Sequence, residues 1–227
     1  MNLRSFALPL AAMTLIVLAS NILVQFPLAG HVGTLALGDI LTWGTFTYPF
    51  AFLVTDLTNR RFGPVVARRI VYAGFAVAIL ASILAPPLLF HLGLLPYPTA
   101  GDRLVRIALA SGTAFLLALL LDIAVFNRWR GASWWRAPAF ASVAGSVVDT
   151  LTFFTLAFAP FWLLGPTDEF SLQAAPLLGA FATQAPRWIS WAIGDFSVKL
   201  AIAVLALMPY RIIMQRFMPY RPIGVAG

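Results

Sequence analysis

The chain of 227 residues has no cysteine, only two histidines, and charge on a tenth of its residues. The missing cysteine excludes a disulfide framework, a thiolate metal site and a thiol nucleophile. His31 and His91 sit in separate segments and no H-E-x-x-H run occurs, so neither a zinc protease nor a histidine-based triad is supported. No G-x-x-x-x-G-K-S/T occurs either, so the chain brings no P-loop of its own to ATP. No metal or other cofactor is expected. The shortage of charge decides the class. A soluble domain carries about 25% charged residues, whereas this chain carries 10% and is 61% hydrophobic.

Most of the sequence lies in apolar runs of about 18 residues or more, the length that crosses hydrocarbon as a helix. An all-α integral membrane protein is expected, with one transmembrane domain and the lipid bilayer as its surroundings. Six helices are read, over about 5–28, 41–57, 70–92, 104–126, 138–164 and 187–208. Pro49 bends the second, and Pro209 is expected to stop the last. The first segment has an Arg4 flank and a small-residue run at Val17-Leu18-Ala19, as a cleaved signal would. Its apolar run continues through Asn21–Val24, so it is read as a retained span. Residues 165–186 form the longest connection, and their apolar middle, 174–183, is expected to be a short re-entrant or interfacial helix. No internal repeat is evident.

The formal charge of +7 raises nucleic-acid binding. The arginines are scattered between apolar spans, so topology explains them better and no nucleic-acid partner is expected. Eleven of them fall at one set of span ends: Arg4; Arg60, Arg61, Arg68 and Arg69; Arg128, Arg130 and Arg136; Arg211, Arg216 and Arg221. Three fall at the other: Arg103, Arg106 and Arg187. The positive-inside rule then puts both termini in the cytoplasm. Trp129, Trp134, Trp135 and Trp162 fit an interfacial belt. Trp43 and Trp188 flank polar spans and stand apart.

Acids inside spans are costly, about 2.5–3.5 kcal/mol each on insertion scales, and must face protein, water or one another. Asn21 and Gln25 lie a turn apart on the first span. Asp56 and Asn59 share a face near the end of the second. Asp122, near the cytoplasmic end of the fourth, is expected to pair with a neighbouring arginine. Asp149, in the fifth, has no cation on its own helix and needs an interior partner or ligand. Asp195 and Lys199 are spaced i, i+4, which suits an intrahelical pair or a coupling group. Ser142, Ser146, Asp149 and Phe153 fall on one stripe of the fifth span, where a flat polar ring could bind. Ala141 and Gly145 permit close helix contact there.

Several blocks carry a resemblance: S-N-I-L-V-Q-F-P at 20–27, T-W-G-T-F-T-Y-P-F-A-F-L-V-T-D-L-T-N-R-R-F-G-P-V-V-A-R-R-I at 42–70, L-D-I-A-V-F-N-R-W-R at 121–130, W-W-R-A-P at 134–138, V-D-T-L-T-F-F-T-L-A-F at 148–158 and D-F-S-V-K at 195–199. In order and over most of its length, the chain resembles the YhhQ group of the vitamin uptake transporter family, the queuosine-precursor transporters. Gly145-Ser146-Val147 stand where that group often has Asn or Gln. The resemblance implies a multi-pass importer of the bacterial inner membrane, not an enzyme. Its substrates would be deazapurines, chiefly 7-cyano-7-deazaguanine and also its aminomethyl form. A carboxylate can accept from the ring N–H and exocyclic amine of such a base together. Asp149 or Asp56 would take that role, with Ser146 beside them. Phe153, Trp43 or Tyr48 would stack on the ring, and Asn21 or Gln25 would bond its polar edge. A second Asp or Lys199 would couple transport to a proton. A secondary carrier and a binding subunit served by an external ATPase both remain open. So do an intramembrane enzyme, with the weakest support, and a homodimer.

Overall fold

The computed structural model describes residues 3–33, 35–131, 133–160 and 168–217. Trp162, Arg221 and the end of the fifth expected span lie outside them. Among the described residues, five helices are long and apolar enough to cross a membrane: α1 (Leu3–Leu23), α4 (Pro64–His91), α5 (Gly101–Trp129), α6 (Arg136–Phe158) and α8 (Arg187–Phe217). Where the second span was expected, over 41–57, there are two short helices, α2 (Gly44–Thr47) and α3 (Phe50–Phe62). Together they reach about 28 Å at 1.5 Å per residue. A helical membrane protein with several spans accounts for this architecture.

Pro49 sets the α2–α3 joint. It has no N–H to donate back to Thr45, and the chain turns there through three-residue bonds, Ala51 N–H to Tyr48 O at 2.9 Å and Phe52 N–H to Pro49 O at 3.2 Å. The segment begins later than expected because Thr42 is held extended in a bridge to Pro27. It also ends later, at Phe62, where Gly63 takes φ +84° and Pro64 opens α4. Asp56 is therefore interior to α3, not at its exit.

Two further expectations are corrected. Pro209 does not stop the last helix, which runs through it to Phe217. Beyond the proline, Tyr210 and Met214 are buried against Phe126, Ala137 and Ala141, and this packing offsets the lost backbone bond. Residues 174–183 are not a helix. Strands β3 (Ala174–Pro176) and β4 (Gln184–Pro186) pair across a 3₁₀ turn at Leu177–Gly179. Leu178 and Gly179 there have φ of 53° and 66°, outside the helical region. A similar device follows α1: β1 (His31–Val32) pairs with β2 (Leu35–Ala36) and runs into a 3₁₀ turn at Leu37–Asp39. In both turns one leucine carbonyl accepts twice, Leu37 O from Ile40 and Leu41, Leu177 O from Ala180 and Phe181. The short helix α7 (Glu169–Leu172) precedes the second hairpin.

Helix α3 is the hub. It touches α1, α4, α5, α6 and α8, while those long helices follow one another around it, α1 on α4, α4 on α5, α5 on α6 and α6 on α8. Its inner residues, with Met13, Val17, Ile70, Val71, Phe115 and Leu119 from the neighbours, make the core. Close approach depends on small residues. A methyl on Gly145 of α6 would lie 2.4 Å from the Phe52 ring of α3.

Candidate functional site

Two buried charged centres lie along the hub. The first joins α6 and α8 at the α2–α3 joint. Lys199 Nζ donates to Asp149 Oδ2 at 2.5 Å, to Thr150 Oγ1 at 3.2 Å, and to Asp195 on its own helix. Tyr48 OH donates to Asp149 Oδ1 at 2.8 Å, and Thr150 Oγ1 to Asp195 Oδ2 at 2.9 Å. Lys199 Nζ also lies 5.3 Å from the centre of the Tyr48 ring. The lysine is 4% exposed. Its three N–H bonds are all used, as burial of an ammonium demands. Asp149 thus finds its interior partner on another helix, and both of its oxygens are occupied. Asp195 differs. Both of its bonds go to Oδ2, and its side chain is the most exposed of the three charges, at 14%. Two carboxylates against one ammonium leave the centre with one excess negative charge when all are ionised.

An aromatic chain runs from this centre toward the hairpin end. Phe153 meets Phe154 and Phe158, whose ring lies 5.4 Å from Trp191, which in turn lies 6.3 Å from Phe170. Trp191, Asp195 and Lys199 fall four apart, so α8 presents ring, carboxylate and ammonium in successive turns of one face. Trp191 Nε1 donates to Asp39 O at 2.8 Å and ties α8 to the first hairpin's turn. Trp191 escaped the sequence reading, although its i, i+4 step to Asp195 was a usable signal.

The second centre lies toward the arginine end. Asp56 of α3 meets the carboxyl of Asp122 on α5 and the hydroxyl of Ser142 on α6. Asp56 is 2% exposed, and Asp122 and Asn59 are fully buried. Asp56 Oδ1, both Asp122 oxygens and both amide atoms of Asn59 lack a hydrogen-bond partner. The expected pairing of Asp122 with an arginine at the helix end is therefore absent. Arg60, a turn beyond Asp56, reaches elsewhere. Its Nε donates to Tyr210 OH at 2.9 Å and its Nη1 to Arg130 O at 3.0 Å, while Arg130 Nη2 donates to Arg60 O at 2.6 Å. A narrow cavity between α3, α6 and α8 is lined by Lys199, Ser146, Ser142, Asp56 and Tyr210, so it spans both centres.

The remaining candidates lie apart. Asn21 donates to Val17 O at 2.9 Å and accepts from Ser82 Oγ at 2.7 Å, which fastens α1 to α4. Gln25 follows the end of α1 and is half-buried. Trp43 is 47% exposed and packs on Phe46. Arg106, counted above among outward arginines, is buried and caps α6, donating to Leu156 O and Ala159 O at 3.0 and 2.8 Å.

Residues 42–214 match the family model described as "Putative vitamin uptake transporter". The queuosine precursor transporter of Escherichia coli (strain K12) is 36% identical over 202 residues, 86% of this chain and 79% of its own length. A protein of Haemophilus influenzae, described as a probable queuosine precursor transporter, is 34% identical over 204 residues, with the same coverage. One of Bacillus subtilis with that description is 26% identical over 188 residues, 80% of this chain and 75% of its own length. No solved structure matches. Both charged centres fall inside the family match, and the chain belongs to the vitamin uptake transporter family.

Proposed function

We propose that this protein imports queuosine precursors, 7-cyano-7-deazaguanine and its aminomethyl form, across the bacterial inner membrane. The relatives described as queuosine precursor transporters support the substrate class. The observation that carries the site is the single unoccupied oxygen in the Lys199 centre, Asp195 Oδ1, one turn from the Trp191 ring. A 7-deazaguanine offers a ring N–H and an exocyclic amine side by side. Asp195 would accept from that edge, and Trp191 or Phe158 would stack on the ring. Asp149, held at both oxygens, would fix Lys199 rather than touch the base.

In this reading α2–α3 is the sixth span, and both termini are cytoplasmic, as the arginine-rich ends of α3, α5 and α8 favour. The hairpins then close the outer end. The protein works as a secondary carrier, not as an enzyme. The test is rescue. In a bacterium that neither makes nor imports the precursor, this chain should restore queuosine to transfer RNA when 7-cyano-7-deazaguanine is supplied. Failure with both precursors would overturn the reading. Uptake by the purified protein in liposomes without any partner separates a carrier from a subunit that needs an external ATPase.

A further inference from the structure

We infer that Asp56 and Asp122 form a proton-binding site that drives the transport proposed above, separate from the Lys199 centre. The inference takes that transport as given and adds a driving ion. It starts from an imbalance. Two buried carboxyls meet, and neither oxygen of Asp122 receives a donor. Two charges so placed cannot both stay ionised without a cation between them. One proton shared by the pair removes the conflict and supplies the missing donor. Asn59, fully buried on the same face of α3 with no partner for its amide, is a second unsatisfied group beside them.

The surroundings favour a proton over a metal cation. Both acids sit in unbroken helices, so their backbone carbonyls are already engaged and cannot complete a coordination shell. Among the described residues no group of three or more acids or histidines could hold a metal. Around the pair, α3 contributes Arg60, α6 contributes Ser142, and α8 contributes Tyr210 with Lys199 further along the same cavity. Helices α1 and α4 turn apolar Met13, Val17, Ile70 and Val71 toward the core.

The geometry also gives a route from proton to gate. With the pair protonated, Arg60 holds Tyr210 of α8 and the Arg130 carbonyl, locking α3 to α5 and α8. Loss of the proton adds a negative charge one turn from Arg60. The guanidinium is then drawn toward Asp56 and away from Arg130, which loosens the arginine end. The cavity carries the change toward Lys199.

Two measurements test this. Infrared difference spectra of the purified protein, titrated from acid to alkaline pH, should show the carbonyl band of a protonated carboxylic acid at neutral pH. The band should vanish in both Asp56→Asn and Asp122→Asn and persist in Asp195→Asn. Its absence from the unmodified protein, or survival in both variants, overturns the site. In liposomes, an inwardly directed proton gradient should speed uptake of 7-cyano-7-deazaguanine by the unmodified protein at least severalfold. Asp122→Asn should lose that acceleration. A gradient effect that persists in this variant, or a sodium gradient acting instead, overturns the coupling. The spectra need no substrate, so they decide on the proton site even if the transport reading fails. Asn copies the shape of a protonated Asp, so both variants should fold, which a single symmetric peak in size-exclusion chromatography would verify.

Discussion

Lys199 spends every N–H it has inside the protein, and that fixes what its removal costs. Lys199→Met leaves Asp149 and Asp195 buried without their cation, a loss of about 3–5 kcal/mol. Thermal unfolding in detergent should register it, and adding Asp149→Asn should recover some of the loss, because the two changes act on one ion pair. Asp195→Asn should behave differently. It keeps a polar group against Thr150 but loses the charged acceptor proposed to face the base. A charge-assisted bond is worth about 1.5–3 kcal/mol, so uptake kcat/KM should fall about 10- to 100-fold in liposomes. A normal rate would remove Asp195 from the binding site. The sequence made Asp149 a natural ligand, since its expected span, 138–164, holds no cation. It could not show that Lys199, fifty residues later, and Tyr48, a hundred residues earlier, take both of its oxygens. Pairing across such distances is set by how helices pack, and local spacing does not encode it.

Helix α3 shows how far an element can be read from its own residues. F-A-F-L-V-T-D-L-T-N-R-R-F is only 13 residues long, too short to cross alone, and it is not among the five helices that qualify; a span was read there only by joining it to the apolar residues before Pro49. It is nevertheless enclosed by those five, so its Thr, Asp and Asn side chains face protein rather than lipid. The long helices were legible because they pass close to lipid and must be apolar along their length. Their proline punctuation was not. Pro49 interrupts its helical segment as expected, whereas Pro209 is carried inside α8, because Tyr210 and Met214 are anchored beyond it. The enclosure of α3 predicts intolerance at its contacts. Gly145→Ala would drive a methyl into the Phe52 ring and costs about 1–3 kcal/mol. Phe52→Leu in the same chain should relieve the strain, and unfolding midpoints of the three variants would show it. Equal midpoints for the single and double variants would mean that α3 and α6 have room to separate.

At the scale of the whole molecule, the described residues are tied at both ends of the bundle, with an apolar core and the two buried acid centres between them. At the arginine end Arg60 and Arg130 exchange bonds with each other's carbonyls. At the hairpin end the two strand-and-turn devices lock together. Gly179 lies against Leu35, Trp191 bonds to Asp39, and Ser190 Oγ accepts from Leu178 N–H. That pairing of similar devices was invisible in the sequence, since L-G-D-I-L and L-L-G-A-F share little beyond a leucine and a glycine at shifted positions. What repeats is a backbone hydrogen-bond pattern, one leucine carbonyl accepting twice, which different side chains can accompany. A carrier that exposes its site to each side in turn has to open either closure while the other holds. If the hairpins are the outer gate, fixing them together should stop transport at every substrate concentration. The chain has no cysteine of its own, so Leu35→Cys with Ala180→Cys can be joined by a short thiol-reactive linker without side reactions. Uptake should fall to background after cross-linking and return on reduction of a cleavable linker, while either single cysteine treated in the same way keeps its rate. Undiminished uptake by the fully cross-linked protein would show that substrate enters by another path. The hairpins would then be a fixed cap, and movement would have to come from the arginine end and the α2–α3 joint alone.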